Sequence, residues 1–152
     1  MMSTRQYTDL AVFRGMTELE VEAILQQGQR MEMGDGQIVL RQGDSSEELF
    51  CVLSGGVEVL RETGVGPRSI AIIKPGHCFG EIGFFAGERR TATIRTVAQT
   101  ELLSLGSSDI ESLIASNPTA AARFIRNVME IVAERFAEMN TNLASMLFWL
   151  GN

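Results

Sequence analysis

The chain has 152 residues and a net charge of −6, which fits one domain with a hydrophobic core and is too short for two domains of ordinary size. The acidic balance, with no basic run longer than "ERR", disfavours DNA or RNA binding by this chain alone. The apolar runs fall far short of the about 20 residues that span a bilayer, and no signal peptide is visible, so we expect a cytoplasmic protein with no membrane span.

The N-terminal part, residues 1–28, is predicted to be helical. Thr17, followed three residues later by Glu20, has the pattern of a capping box, which opens a helix. Helical spacing then predicts a buried stripe of Leu19, Ala23 and Ile24.

The middle part, residues 29–106, predicts a series of short strands. Its apolar segments are rich in β-branched or aromatic residues and are bounded by Gly, Pro, Asp or Ser. The segments are "QRMEM", "QIVLR", "ELFCVL", "GVEVLRE", "SIAIIK", "TATIRTV" and "TELLSL". Seven or eight strands at this spacing predict a sandwich or a jelly roll. The fold class is therefore α+β and mainly β: a jelly-roll-like β-roll of about eight strands, with a short helical segment before it and a long helix after it.

Two cysteines, Cys51 and Cys78, lie within strand-like sequence. We expect both to be buried and reduced, because nothing else in the sequence indicates an oxidising compartment. A disulfide between them is the alternative.

The C-terminal part, residues 107–150, predicts two helices. Ser108 and Glu111 have a second capping-box pattern, which opens a short helix ending near Asn117. Asn117 then caps a helix that begins at Pro118, where the missing N–H costs nothing. No Gly or Pro interrupts this helix before residue 151, so at about 1.5 Å per residue it extends for about 50 Å.

Apolar residues of this long helix recur at spacings of 4 and 3, the period of a coiled coil. This seam consists of Ile125, Met129, Val132, Phe136, Met139, Leu143, Met146 and Leu150. It predicts a parallel two-helix homodimer. The alternative is a single helix lying along its own barrel, but its length indicates that only the first part does so.

The segment 79–95 combines three glycines, two acids and three arginines, and Glu81 lies near Arg89 and Arg90 along the chain. Glycines let backbone N–H groups approach an anion, and an arginine can bind phosphate through paired hydrogen bonds. A carboxylate has only acceptors, so beside an anion it would bind hydroxyl groups such as those of a sugar. These residues suggest a nucleotide site, although similar fragments also occur in surface turns.

The segment "CFGEIGFFAGERRTATIR" resembles the phosphate-binding cassette of the cyclic nucleotide-binding domain family. The segments "GDGQIVLRQGDSSEELFCVLSGGVEVL" and "IIKPGHCFGE" resemble the sequence that precedes the cassette in that family. The resemblance covers the chain from about Leu10 to Phe136. It implies a single domain over residues 1–152, with a β-roll that carries the cassette at residues 79–92 and helices before and after the roll.

The resemblance also implies roles for individual residues. Glu81 matches the acid that binds the ribose 2′-hydroxyl, and Arg90 matches the arginine that binds the cyclic phosphate. Thr91 follows it, where relatives often place a hydroxyl near the phosphate or base. The remaining cassette positions that the family assigns to the ligand are Phe79, Gly80, Ile82, Gly83 and Ala92.

The base pocket is implied in the same way. Val59, Ile70, Ile73 and Ile82 match positions that form its wall. Relatives that regulate transcription place hydroxyls on the long helix to contact the base, but ungapped counting here gives Arg135 and Phe136. Either side chain could stack on a purine instead, and Arg135 is taken as the candidate site residue. Those relatives also carry a DNA-reading segment of about 70 further residues, whereas the given sequence ends at Asn152. We therefore expect either an unknown effector on another chain, or a sequence that is a piece of a longer protein.

Strand alternation distinguishes the two arginines of the cassette. Ala92 and Ile94 are the apolar positions of the strand, so they point inward. Counting back by two places Arg90 inside and Arg89 outside, as a solvated charge.

The ligand is expected to be cyclic AMP or cyclic GMP, with cyclic AMP favoured by its frequency in the family, and no other cofactor is expected. We expect no enzyme, because one histidine cannot build a cupin metal site and no nucleophile–base pair is visible. Two alternatives on the same fold are a haem sensor that uses His77 or Cys78, and a dimerisation module that binds nothing. An unliganded buried Arg90 would be costly, which disfavours the second alternative.

Overall fold

The computed structural model describes residues 3–151, and these fold into eight β-strands and five α-helices. The N-terminal elements are α1 (Thr4–Tyr7), a 3₁₀ turn (Ala11–Phe13) and α2 (Glu18–Gln27). The roll comprises β1 (Gln29–Met33), β2 (Ile38–Leu40), β3 (Leu49–Ser54), β4 (Val57–Thr63), β5 (Gly66–Ile73), β6 (Cys78–Phe79), α3 (Glu81–Ala86), β7 (Thr93–Thr96) and β8 (Thr100–Leu105). The chain ends in α4 (Ser107–Ser116) and α5 (Pro118–Gly151).

The strands form two four-stranded antiparallel sheets, in the orders β1-β8-β3-β6 and β2-β7-β4-β5. Each of the seven predicted segments contains a strand, and the jelly-roll-like fold is confirmed. The remaining strand, β6, was not among the predicted segments. It has two residues and is too short to show a periodic pattern in the sequence.

Strand β3 lies between two hydrophobic cores. Phe50 and Val52 belong to the core between the sheets, whereas Leu49, Cys51 and Leu53 belong to the core beneath the helices. Successive side chains of a strand point to opposite faces, so a strand with a core on each side needs an uninterrupted apolar run. This explains why "LFCVL" does not alternate as "GVEVL" does.

The buried face of α2 differs from the predicted stripe. The capping box is confirmed, because Thr17 Oγ1 accepts from the Glu20 amide at 3.2 Å. However, Leu19 is 82% exposed, and the buried residues are Glu20, Val21, Ile24 and Leu25. Glu20 Oε1 accepts from Arg123 Nη1 at 2.6 Å, so a long-range ion pair turns the Glu20 side of the helix toward α5.

The start of α4 is also corrected. Its N-cap is Gly106 rather than Ser108, and the Gly106 amide donates to Asp109 Oδ2 at 2.8 Å. The start of α5 is confirmed, because Asn117 Oδ1 accepts from the Ala120 amide at 3.2 Å.

Only the first part of α5 packs on the rest of the domain, as its length predicts. Its buried residues end at Ile131, although the helix continues to residue 151. Two residues of the predicted seam, Ile125 and Val132, are half-buried against their own domain. The others are exposed: Met129, Phe136, Met139, Leu143, Met146 and Leu150. Within the described residues, no helix combines the length and hydropathy needed to cross a membrane.

Candidate functional site

The cassette begins where β6 ends and the chain turns sharply into α3. Gly80 has φ +82°, a conformation that side chains disfavour. A Cβ atom there would lie 2.7 Å from Arg90 Nη1 and 2.8 Å from the Glu48 carbonyl oxygen. A Cβ atom on Gly83 would lie 2.8 Å from the same Nη1. The two glycines therefore leave room for the guanidinium of Arg90, a use that the sequence interpretation assigned only to the ligand.

Arg90 is buried, and its guanidinium is held by protein acceptors. Nε donates to Ser46 Oγ at 3.1 Å, Nη1 to the Gly80 carbonyl at 3.0 Å and Nη2 to the Glu48 carbonyl at 2.8 Å. The cation also lies 6.0 Å from the centroid of the Phe50 ring. Burial lowers the pKa of Arg90, and among the nearby acids the carboxylate of Glu48 opposes that shift most strongly.

These hydrogen bonds weaken one argument from the sequence. A buried arginine was expected to be costly without a ligand, but Arg90 has three protein acceptors. Its presence alone is therefore compatible with a domain that binds nothing.

Arg89 lies on the outside of the roll, as expected, although both arginines precede β7 and so do not belong to the strand from which the expectation was counted. Its side chain is exposed, and Nη1 donates to the Gly43 carbonyl at 3.1 Å. The two neighbouring arginines thus differ in burial, and only Arg90 lies against α3.

Glu81, the first residue of α3, contacts the long helix. Its Oε1 lies 2.9 Å from Arg135 Nη1, and Arg135 Nη2 donates to the Cys78 carbonyl at 2.7 Å. Arg135 was predicted to face the base. The structure instead brings it to the acid that the family assigns to the ribose, so one side chain of α5 links that helix to the cassette.

The predicted wall of the base pocket is only partly assembled. Ile73 and Phe79 are buried in the core between the sheets, and Val59 packs against that core. Ile82 is largely exposed, as are Thr91 and Ile70, and Ala92 is half-buried. Ile70 lies in a β-bulge, between the pairs Val59–Ala71 and Leu60–Ser69. Ile70 and Ile82 are the two predicted wall residues that the structure does not bring into the core.

Sequence reasoning missed Ser46, Glu48 and Phe50, which all contact Arg90. They lie more than 35 residues before it, in and after a loop that was interpreted only as a turn. The acidic run "GDSSEE" is the one signal that could have indicated a cationic neighbour.

Cys51 and Cys78 lie opposite each other on the neighbouring strands β3 and β6. Both are buried, and neither forms a disulfide. Burial raises the pKa of the Cys78 thiol to about 12. A thiolate is the form that binds iron, so this position disfavours Cys78 as a haem ligand. No group of three or more His, Cys, Asp or Glu side chains in residues 3–151 is arranged to hold a metal ion.

The structure combines a β-roll, a short helix between β6 and β7, an acid at the start of that helix and a buried arginine after it. This combination is typical of the class of cyclic nucleotide-binding modules. Residues 22–117 match the family model described as "Cyclic nucleotide-binding domain". The chain therefore belongs to the cyclic nucleotide-binding domain family, and the resemblance seen in the sequence is confirmed.

Individual relatives agree with this assignment. The chain is 32% identical over 138 residues to the "Cyclic AMP receptor protein" of Thermus thermophilus, covering 90% of this chain and 62% of that protein. It is 26% identical to the "CRP-like cAMP-activated global transcriptional regulator" of Mycobacterium tuberculosis, covering 90% of this chain and 60% of that protein. The crystal structure of Thermus thermophilus Catabolite Activator Protein superposes with a TM-score of 0.78 and 31% identity, over 91% of this chain and 63% of that one. The chain thus spans about three-fifths of the length of these relatives.

Proposed function

We propose that this chain is a non-catalytic sensor that binds a cyclic nucleotide and signals by moving α5. The observation that carries the proposal is the ion pair between Glu81 of the cassette and Arg135 of α5. It joins a residue that the family assigns to the ligand with the helix that would transmit the signal.

The cyclic phosphate, with one negative charge, would bind Arg90 and the backbone amides of residues 80–83. A guanidinium has five N–H donors, and the protein acceptors described above use three of those in Arg90. Two donors are left for phosphate oxygens, which is enough for a paired interaction.

The ribose would bind Glu81 and compete with Arg135. A ribose hydroxyl that donates to Glu81 weakens the hold of Arg135 on the same carboxylate. Binding would then favour a different position of α5. The nucleotide shifts that equilibrium only by as much as it prefers one helix position, and a nearly complete switch requires about 5.5 kcal/mol.

Cyclic AMP is the proposed ligand in preference to cyclic GMP. The support comes from the names of two relatives, a cyclic AMP receptor protein and a cAMP-activated regulator. The exposed Thr91 hydroxyl is compatible with either base.

The exposed part of the seam is proposed to form a homodimer. Phe136, Met139, Leu143, Met146 and Leu150 lie beyond the buried part of α5 and are all more than half exposed. A second copy of α5 would cover them in a coiled coil. The effector that reads this dimer is unknown, and a cytoplasmic location stays a prediction.

Titration calorimetry tests the binding proposal. Wild-type protein is expected to bind cyclic AMP or cyclic GMP, whereas Arg90→Ala should lose binding by about a hundredfold or more, because it removes the charge-assisted hydrogen bonds to phosphate. Arg89→Ala is the matched control, since it removes the same charge one residue away on the exposed side. If neither nucleotide produces heat with the wild type, the chain is not a cyclic nucleotide sensor.

One observation favours a second candidate function, a dimerisation module that binds nothing: Arg90 and Glu81 already have protein partners. The same titration separates the two, because such a module would show no heat with any variant. A haem sensor would instead show strong absorbance at about 400 nm in the purified protein.

A further inference from the structure

The guanidinium of Arg90 contacts an acidic loop, the one between β2 and β3, which has no role in the proposed function. The loop between β2 and β3 carries Asp44, Glu47 and Glu48. Glu48 binds one end of the guanidinium twice: its carbonyl oxygen accepts from Arg90 Nη2 at 2.8 Å, and its carboxylate Oε2 lies 3.6 Å from the same nitrogen. The side chain of Glu48 thus occupies an anion position at the residue that would bind the cyclic phosphate.

The two partners of this ion pair differ in their freedom to move. The Arg90 side chain is 3% exposed and is fixed by Ser46 and Gly80, whereas the Glu48 side chain is 46% exposed. The arginine therefore cannot follow the carboxylate into water. The carboxylate can leave and become hydrated at little cost, while the carbonyl of the same residue keeps its hydrogen bond to Arg90.

We propose that Glu48 is an internal competitor for the anion of the ligand, which neutralises Arg90 between binding events and lowers the affinity for the cyclic nucleotide. This role rests on the proposed function. Burial disfavours the charged form of Arg90, and Glu48 is the acid that does most to restore it. When a phosphate arrives it takes over this neutralisation, and the two negative groups repel each other if both stay.

The competition gives Glu48 a role in tuning affinity that the other cassette residues lack. Removing Gly80 or Arg90 damages the site, whereas removing the charge of Glu48 leaves all three hydrogen bonds of Arg90 in place, because Glu48 contributes its backbone carbonyl. Loss of this carboxylate is therefore expected to strengthen binding, the opposite of what loss of a structural contact does.

The test compares Glu48→Gln with Glu47→Gln in the full chain. Both changes remove one negative charge, but Glu47 is exposed and has the smallest effect on Arg90 of the four nearby carboxylates. Calorimetry with cyclic AMP and cyclic GMP is expected to show about fivefold tighter binding by Glu48→Gln, the size of a partly exposed ion pair. Glu47→Gln should stay within about twofold of the wild type. Stopped-flow measurements should place most of the gain in a faster association rate, because the site no longer has to release a carboxylate.

Three outcomes decide the proposal. Tighter binding by Glu48→Gln, with affinity restored toward the wild type in Glu48→Asp, supports it. Equal binding by Glu48→Gln and Glu47→Gln, or weaker binding together with a lower melting temperature, overturns the role of Glu48 and leaves the proposed function intact. If wild type, Glu47→Gln and Glu48→Gln all bind neither nucleotide, the proposed function is overturned and the role of Glu48 with it.

Discussion

Single residues of the cassette are arranged around the guanidinium of Arg90, which is packed as tightly as a core side chain. Gly80 and Gly83 lie against Nη1 on one side, and the carbonyls of Gly80 and Glu48 accept its hydrogen bonds. Arg90 is therefore part of the framework of the domain as well as the proposed phosphate-binding residue. Its position depends on the absence of two β-carbons.

Gly80→Ala tests this dependence, with Gly87→Ala as its control. Both glycines have positive φ, +82° and +68°, so both substitutions carry a similar backbone cost of about 1 kcal/mol. Only the Cβ at residue 80 would meet other atoms, Arg90 Nη1 at 2.7 Å and the Glu48 carbonyl at 2.8 Å. Urea unfolding is expected to show a loss of about 3 kcal/mol for Gly80→Ala against about 1 kcal/mol for Gly87→Ala. Equal losses would mean that Arg90 is not tightly packed against the turn.

The inward position of Arg90 could be predicted from sequence, whereas its neighbours could not. Counting back from Ala92 and Ile94 correctly separated the buried Arg90 from the exposed Arg89, although both precede β7, which begins at Thr93, so the alternation of a strand does not itself explain the result. The contacts of Arg90 with Ser46 and Glu48 join positions more than 40 residues apart. Such contacts form only when the roll closes, so they could not be predicted from the spacing of residues along the sequence.

Among the elements, those defined by local signals were predicted well. The strands follow from β-branched segments between turn residues, and α5 follows from its cap and its uninterrupted helical sequence. The face that α2 buries was predicted only in part. Ile24 is buried and Ala23 packs against the core as expected, but Leu19 is exposed. The Glu20 side lies inward instead, where Glu20 pairs with the distant Arg123. The link between α3 and α5 is another contact of this kind, and the proposed signal depends on it.

Arg135→Ala tests whether the ion pair between α3 and α5 transmits the signal. Without Arg135, Glu81 is available to the ribose, so cyclic nucleotide is expected to bind about threefold tighter. The nucleotide should then no longer change hydrogen exchange in α5, because the contact that it would displace is gone. Arg126→Ala is the control: it removes an α5 arginine that pairs with Glu130 and not with the cassette. If α5 of Arg135→Ala responds to nucleotide as the wild type does, the signal takes another route.

The whole molecule combines a compact roll with a helix that is too long for it. The buried residues of α5 end at Ile131, and the 20 residues that follow rise about 30 Å beyond that point. From Met139 to residue 151 this part has no charged residue, and most of its large apolar side chains are more than half exposed. An apolar surface of this size is unfavourable in water, so we expect a partner to bury it. The period of the seam favours a second copy of α5 as that partner.

If the seam forms a dimer, placing acidic residues at the centre of the seam is expected to lower the mass of the protein in solution. Phe136→Asp combined with Leu143→Asp would bury two carboxylates in each helix of a coiled-coil dimer, which is too costly to maintain, so light scattering should report a monomer in place of a dimer. Thr141→Asp is the control, because this exposed residue lies between two seam positions and faces away from the partner helix. Ile125 and Val132 pack on their own domain, so the domain should stay folded in both variants, as its circular dichroism would show. A mass that does not change in the double variant would contradict a coiled-coil dimer through the seam.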